Sequence, residues 1–200
     1  MNNLTIPLFP LHTVLFPQGV LPLRIFEPRY LEMISTCLKN EQDFGICLIR
    51  TGSEVGDAAE TYAIGTVSEI TYFNRQADGL LGITVSGKQR FQILSKEVQA
   101  NQLTMAEVEL LPNDQPRSIP PQYQKVVDVL RKIFDQLGYP FIKLEKRYDD
   151  ASWVSSRLAE LLPLRLEQKQ QLLQLDDPLQ RLEQIKHLLA SLDIRSRERD

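Results

Sequence analysis

The run Gly82–Gln89, GITVSGKQ, comes close to the pattern of a phosphate-binding loop. A loop of the form GxxxxGK[ST] needs a hydroxyl group after its lysine to hold magnesium, and a helix whose first amides face the phosphate. Gln89 has no hydroxyl group, and the residues after it continue an alternation of polar and apolar side chains that is typical of a strand. The run therefore predicts a strand and no ATPase site.

Other reactive side chains are equally poor candidates for a catalytic or metal site. Ser86 and Lys88 share one face of the predicted strand, as a serine–lysine dyad would, but nothing in the surrounding sequence desolvates the lysine. Cys37 and Cys47 lie in apolar surroundings without a CxxC spacing, which is typical of reduced, buried cysteines. We therefore expect no catalytic residue, no cofactor and no metal ion, and we do not expect an enzyme.

Composition and charge exclude several other classes of protein. The 200 residues are 42% hydrophobic and 24% charged, as in an ordinary globular protein. Residues 1–115 carry 8 basic and 13 acidic side chains, a net charge of −5, which is the opposite of a nucleic-acid-binding surface. No apolar run approaches the ~20 residues that span a membrane, and no basic region precedes the first apolar segment. We expect a cytoplasmic protein without nucleic-acid or membrane partners.

The elements that must position any site begin with the apolar stretch Ile6–Leu38, which holds five of the twelve prolines. Because proline removes a backbone donor and obstructs the preceding helical turn, this stretch cannot be helical before Pro28. We expect two short strands joined at a turn of Pro17, Gln18 and Gly19, in which Gly19 is free to take a positive φ. From Pro28 the apolar residues follow helical spacing, so a helix should run to about Asn40.

The rest of the chain changes from strand patterns to helix patterns at Pro112–Pro121. Before that boundary, strands are predicted at Asp43–Ile49, Ala63–Phe73 and Ala106–Leu110, with a turn at Asp78-Gly79. The alternation over Leu81–Ile93 predicts one half-buried strand or a bent pair of strands. Their spacing suggests a curved sheet closing into a barrel. After the boundary, apolar residues recur with a period of 3.6. The predicted fold class is α+β, with a β-barrel subdomain at 1–115 and a helical bundle at 116–200.

Several segments in this pattern resemble one known family. They are Pro7–Leu11, Val14–Pro17, Leu21–Leu23, Ile25–Tyr30, Phe44-Gly45, Glu54–Gly56, Ile64–Thr66, Asp78-Gly79, Gly87–Phe91 and Leu158–Pro163. Together they resemble the N-terminal substrate-binding domain of the ATP-dependent Lon proteases. That family also occurs as stand-alone proteins that lack the ATPase and protease domains, and this chain looks like one of them. The resemblance implies a PUA-like β pseudo-barrel followed by a helical bundle.

The resemblance also implies a function, namely a non-catalytic module that binds unfolded or tagged polypeptides. Such a protein could serve as an adaptor or substrate-binding protein in protein quality control, with a protease as partner. An apolar patch could take side chains, or an open sheet edge could add a peptide strand, and the sequence does not choose between them. The alternatives are an RNA-binding PUA-like protein and a barrel that binds a small molecule.

The expected binding surface lies near the corner formed by Pro10–Phe16 and the Phe26–Tyr30 junction. This region is the most apolar part of an acidic half, and its prolines hold it rigid, so little entropy is lost when a ligand docks. The candidate polypeptide-binding residues are Pro10, Phe16, Phe26, Glu27, Arg29 and Tyr30. The alternative is that these residues are structural, with the aromatic rings in the core, Glu27 capping the helix and Arg29 pairing locally.

Overall fold

The opening stretch forms two strands, a turn and a helix, in the predicted order. In a computed structural model that describes residues 3–75 and 80–197, β1 spans Asn3–Leu11, β2 spans Val20–Ile25 and α1 spans Pro28–Asn40. Pro28 stands in the first turn of α1, where its missing N–H would have no partner within the helix. The helix stops at Glu41, whose backbone is left-handed with a φ of 51°.

The segment between β1 and β2 folds inward, and its turn begins one residue earlier than predicted. The Gly19 amide donates to the Phe16 carbonyl oxygen at 3.0 Å, so the third position of this four-residue turn is Gln18. Gln18 takes the positive φ, 61°, and Gly19, which was free to do so, does not. Gly87 permits the close approach of this segment to a neighbouring strand, because a Cβ at that position would lie 2.3 Å from the Phe16 carbonyl oxygen.

Seven strands of the described residues form a sheet that closes into a pseudo-barrel. The remaining strands are β3 (Phe44–Thr51), β4 (Glu60–Thr61), β5 (Ile64–Arg75), β6 (Leu81–Val98) and β7 (Thr104–Leu110). The sheet order is β1-β7-β6-β5-β3-β4, and β1 also pairs with β3 in parallel, which closes β1, β7, β6, β5 and β3 into a ring. The predicted β pseudo-barrel is thereby confirmed. The predicted turn at Asp78-Gly79 lies outside the described residues.

The long strand β6 organises the sheet because it pairs with three other strands. One side of β6 pairs with β5 over most of its length. The other side pairs first with β2, over Leu81–Ser86, and then with β7, over Phe91–Val98. The register of β6 against β7 shifts between Ile93 and Ser95, an irregularity of the kind that increases local twist. Among the described strands, β2 pairs only with β6.

The core of the β-rich part lies between α1 and the sheet. Helix α1 buries one face, comprising Arg29, Tyr30, Met33, Ile34 and Cys37. Four of these side chains join apolar residues of β1, β2, β3 and β6 in a single hydrophobic cluster. Both cysteines are free thiols and buried, as predicted. Burial raises the pKa of Cys37 to about 11 and that of Cys47 to about 12, so both remain thiols near neutral pH.

The chain divides into two compact units, Met1–Asn113 and Asp114–Asp200. The second unit contains α2 (Gln124–Phe134), α3 (Ala151–Leu161), α4 (Leu166–Leu173) and α5 (Pro178–Arg197). These helices confirm the predicted change from strands to helices along the chain.

Short polar residues begin two of these helices, as the sequence predicts. The Asp150 carboxylate accepts the Ser152 amide at 3.0 Å, and the Asp177 carboxylate accepts the Leu179 amide at 2.8 Å. In α5, Leu182 and Ile185 are fully buried, which agrees with the predicted apolar stripe. Leu179, Leu188 and Leu189 are half-buried, and the side chain of Leu192 lies outside the described part of the chain.

Within residues 3–75 and 80–197, no helix combines the length and the apolar character needed to cross a lipid bilayer.

Candidate functional site

An apolar groove lies between β2 and the N-terminal end of α1. It has a volume of about 290 Å³ and is lined mainly by hydrophobic side chains. Its lining residues, which together define the Phe26 groove, are Phe9 and Leu11 of β1, residues 22–25 of β2, Phe26, Glu27 and Tyr30 at the start of α1, and Glu54. A partly open concavity with apolar walls and a few charged groups is a typical ligand-binding shape.

Two stacked aromatic rings form part of the lining of the Phe26 groove. The ring centroids of Phe9 and Tyr30 lie 4.3 Å apart, with 27° between the planes. The Arg29 guanidinium lies 4.6 Å from the Tyr30 centroid. Burial raises the pKa of Tyr30 to about 12, because removal from water disfavours the phenolate more than the positive charge of Arg29 favours it. This aromatic part of the groove is therefore uncharged near neutral pH.

Phe26 stands at the rim of the groove with 54% of its surface exposed. It lies between Ile25, the last residue of β2, and Glu27, the residue that precedes the first turn of α1. Ile25 is only 2% exposed and belongs to the core. Since successive side chains of extended backbone point to opposite sides, Phe26 points away from the core. The chain thus places a large apolar side chain where a ligand can reach it.

Arg29 and Glu27 connect the start of α1 to the loop before β4. Arg29 is 5% exposed, and its Nη2 donates to Glu27 Oε1 at 3.1 Å. The other oxygen of Glu27 accepts the amide of Gly56 at 3.3 Å. Arg29 also donates to the carbonyl oxygen of Gln102, at 2.9 Å. These contacts hold one wall of the groove, so Arg29 acts through its neighbours and does not line the groove itself.

The outer edge of β2 is open to the groove but interrupted by proline. The Gln18 amide donates to the Gly87 carbonyl oxygen at 2.7 Å, and the Gly87 amide donates to the Gly19 carbonyl oxygen at 2.9 Å. In an antiparallel ladder, bonded pairs alternate along the strand, so Pro22 falls at a position that points away from β6. Pro22 has no N–H, and it therefore removes a donor from the outer edge.

The predicted site residues divide between the groove and the core. Phe26, Glu27 and Tyr30 come together in the groove lining. Phe16 is fully buried and Pro10 is also buried, so the prediction that these two side chains form part of an exposed surface is wrong. Pro10 is buried because it lies within β1, opposite Cys47 of β3. Phe16 is buried because the segment after β1 folds inward against β6.

Sequence reasoning missed several residues of the groove. Leu11, Leu23 and Arg24 line it, although their local patterns resemble those of ordinary strand residues. Glu54 lines the groove from a loop that lies more than twenty positions after Tyr30 in the sequence. Its carboxylate accepts the backbone amide of His12 at 2.6 Å. Alternation along β2 could have identified Leu23, but no local signal could have identified Glu54.

The motifs considered for catalysis have structural roles. The phosphate-loop-like run lies within β6, as predicted. Lys88 donates to the Asp43 carboxylate at 2.7 Å, and this hydrogen bond raises the pKa of the lysine. Among the described side chains, no group of three His, Cys, Asp or Glu residues is arranged to hold a metal ion.

Comparison with known structures supports the same fold. A Lon N-terminal domain protein from Xanthomonas campestris is 37% identical, with a TM-score of 0.76 over 94% of this chain and 98% of that one. The N-terminal domain of a Mycobacterium avium complex Lon protease is 19% identical, with a TM-score of 0.63 over 90% of this chain and 95% of that one. The second likeness concerns the fold alone.

Comparison of sequences identifies the family. The Lon protease 2 of Herpetosiphon aurantiacus is 28% identical over 94% of this chain and 24% of that protein, so the chain spans about a quarter of its length. The Lon protease of Vibrio parahaemolyticus is 25% identical over 91% of this chain and 24% of that protein. The family model of the substrate-binding domain of ATP-dependent protease La (LON) matches residues 5–191. The chain therefore belongs to the Lon substrate-binding domain family.

Proposed function

We propose that this protein binds unfolded or tagged polypeptides without modifying them, and that the Phe26 groove receives their apolar side chains. The observation that carries the proposal is the position of Phe26, more than half exposed at the rim of an apolar groove. Exposed apolar surface of this kind typically marks a binding site. Membership of a substrate-binding domain family supports the same function. We place the protein in quality control, as an adaptor that delivers clients to a protease.

Insertion of side chains is favoured over addition of a peptide strand. A peptide that pairs with β2 needs an uninterrupted row of backbone donors and acceptors on the outer edge. Pro22 removes one of those donors at an outward-pointing position. The groove next to that edge offers apolar area instead, with a volume of about 290 Å³. Because this volume is at the lower end of ligand sites, we expect one or two large apolar side chains to enter it.

Replacing Phe26 by alanine should weaken polypeptide binding about five- to thirty-fold, the range expected for an aromatic hot-spot residue. The free energy of unfolding should change by less than about 0.5 kcal/mol, because the side chain is largely exposed. Fluorescence anisotropy with labelled, reduced and carboxymethylated lactalbumin measures the binding. Thermal unfolding followed by circular dichroism measures the stability.

Phe73→Ala provides the matched control for that experiment. Phe73 is 60% exposed and lies on β5, which β6 separates from β2. This variant should bind the unfolded polypeptide like the unmodified protein. Equal losses in the two variants would argue against the groove as the site. Tight RNA binding at ~150 mM salt, where phosphate contacts are already weakened, would favour the RNA-binding alternative instead.

The purified protein should show neither ATP hydrolysis nor cleavage of casein above background. The near-match to a phosphate-binding loop is part of β6, and its lysine is engaged by the Asp43 carboxylate at 2.7 Å. A coupled phosphate assay and gel analysis of casein measure the two activities. ATP hydrolysis that disappears in Lys88→Ala would contradict the prediction.

A further inference from the structure

A second groove curves around the C-terminal end of α1. It consists of two adjoining depressions with volumes of about 230 Å³ and 250 Å³, which share Cys37 and Gln42 in their linings. The first lies between α1 and the connection from β6 to β7, and the second lies between α1 and β5. None of its lining residues belongs to the Phe26 groove.

Hydrophobic side chains contribute to the lining of this second groove. Met33 of α1 and Met105 of β7 line the first depression, and Ile70 of β5 lines the second. Leu38 stands beside the second depression with 41% of its surface exposed. Methionine side chains adapt their shape easily, which suits a surface that accepts varied apolar groups. The groove can therefore take apolar side chains from a partner.

The charged groups around this groove are predominantly acidic. Four carboxylates line it, those of Glu32, Glu41, Asp43 and Glu69. Lys88 offsets part of this charge, since its Nζ lies 2.7 Å from Asp43 and 3.8 Å from Glu69. Lys39, in the last turn of α1, is the nearest basic residue along the helix.

Glu32 and Glu41 are the carboxylates available to a partner. Among the described side chains neither has a salt-bridge partner, and Glu32 accepts only a long contact from Asn101 Nδ2, at 3.5 Å. The C-terminal end of α1 adds the negative end of its helix dipole at Glu41. The groove therefore combines apolar side chains, mainly in the first depression, with a negative rim.

We propose that this acidic groove binds a basic segment of a partner polypeptide, in which Lys or Arg side chains alternate with apolar ones. An apolar side chain of the segment enters the first depression, and its cationic groups meet Glu32 and Glu41. An acidic segment is disfavoured, because like charges at an interface oppose association. This surface is separate from the Phe26 groove, so the inference does not depend on the binding of unfolded polypeptides there.

The test compares two labelled peptides that have the same leucines but carry either lysines or glutamates between them. The lysine peptide should bind more tightly than the glutamate peptide. The double variant Glu32→Gln, Glu41→Gln should weaken binding of the lysine peptide about three- to ten-fold at ~50 mM salt. The difference should shrink at ~300 mM salt, because exposed charges are then screened. Fluorescence anisotropy measures the binding of each peptide to the unmodified protein and to the double variant at both salt concentrations.

Two controls distinguish binding in this groove from general charge attraction and from binding in the Phe26 groove. The double variant Asp128→Asn, Glu167→Gln removes the same charge from exposed positions in the helical unit, and it should leave binding unchanged. In Phe26→Ala, which removes the side chain proposed to bind polypeptides in the other groove, the lysine peptide should still bind more tightly than the glutamate peptide. Equal binding of the two peptides, to the unmodified protein or to Phe26→Ala, would overturn the proposal, and so would an equal loss in Asp128→Asn, Glu167→Gln.

Discussion

Replacing Phe16 by alanine should lower the free energy of unfolding of the β-rich unit by about 3–5 kcal/mol. Phe16 is fully buried, and its carbonyl oxygen accepts the Gly19 amide of the turn that enters β2. Removing the ring leaves a cavity that the close contact with Gly87 prevents from collapsing. The free energy of unfolding should therefore fall by as much as it does when a phenylalanine is removed from a rigid core.

Native-state hydrogen exchange of the β3 and β6 amides measures this effect, because those strands report opening of the sheet. Phe26→Ala is the matched control, since it removes the same side chain from a position that is 54% exposed. We expect the control to leave protection of these amides nearly unchanged. Similar protection in the two variants would place Phe16 at the surface and restore it as a binding residue.

Replacing Arg181 by alanine should destabilise the helical unit by about 3–5 kcal/mol. Arg181 is 2% exposed, and its Nη1 donates to the Asp114 carboxylate at 2.8 Å. Its Nε and Nη2 donate to the carbonyl oxygens of Leu172 and Leu175, at 3.0 Å and 2.6 Å. Alanine removes the Arg181 donors from the Asp114 carboxylate, which still accepts the Ser152 hydroxyl at 3.1 Å, and from the two carbonyl oxygens. Removing one partner of a buried ion pair is costly.

Trp153 reports this change, because it is the only tryptophan of the chain and lies buried in α3 of the helical unit. The urea midpoint of its fluorescence should fall in Arg181→Ala, and it should stay unchanged in Arg147→Ala, which removes an exposed arginine. In the double variant Arg181→Ala, Asp114→Asn the loss should be smaller than the sum of the single losses. If the loss in the double variant equals the sum of the single losses, the ion pair contributes little to stability.

Several features follow from local chemistry and were therefore predictable from the sequence. Within a helix, proline is tolerated only in the first turn, and the apolar residues after Pro28 recur at helical spacing. Helix α1 therefore begins and ends where expected. Asp150 and Asp177 accept amides at helix starts for the same local reason. The change from strand to helix patterns needed no knowledge of long-range contacts.

Other features depend on which distant segments meet, and only the tertiary structure decided them. Phe16 and Phe26 are the same side chain in the same proline-rich stretch, yet one is fully buried and the other is 54% exposed. The difference arises because Gly87 lets the segment around Phe16 pack against β6, whereas Phe26 extends beyond the edge of the core. Likewise, β1 pairs in parallel with β3, which lies far from it in the sequence. Glu54 lines the same groove as Phe26 although the two residues are far apart in the chain. Burial is a property of the assembled neighbours, so local spacing placed the elements but did not determine which aromatic residue reaches the surface.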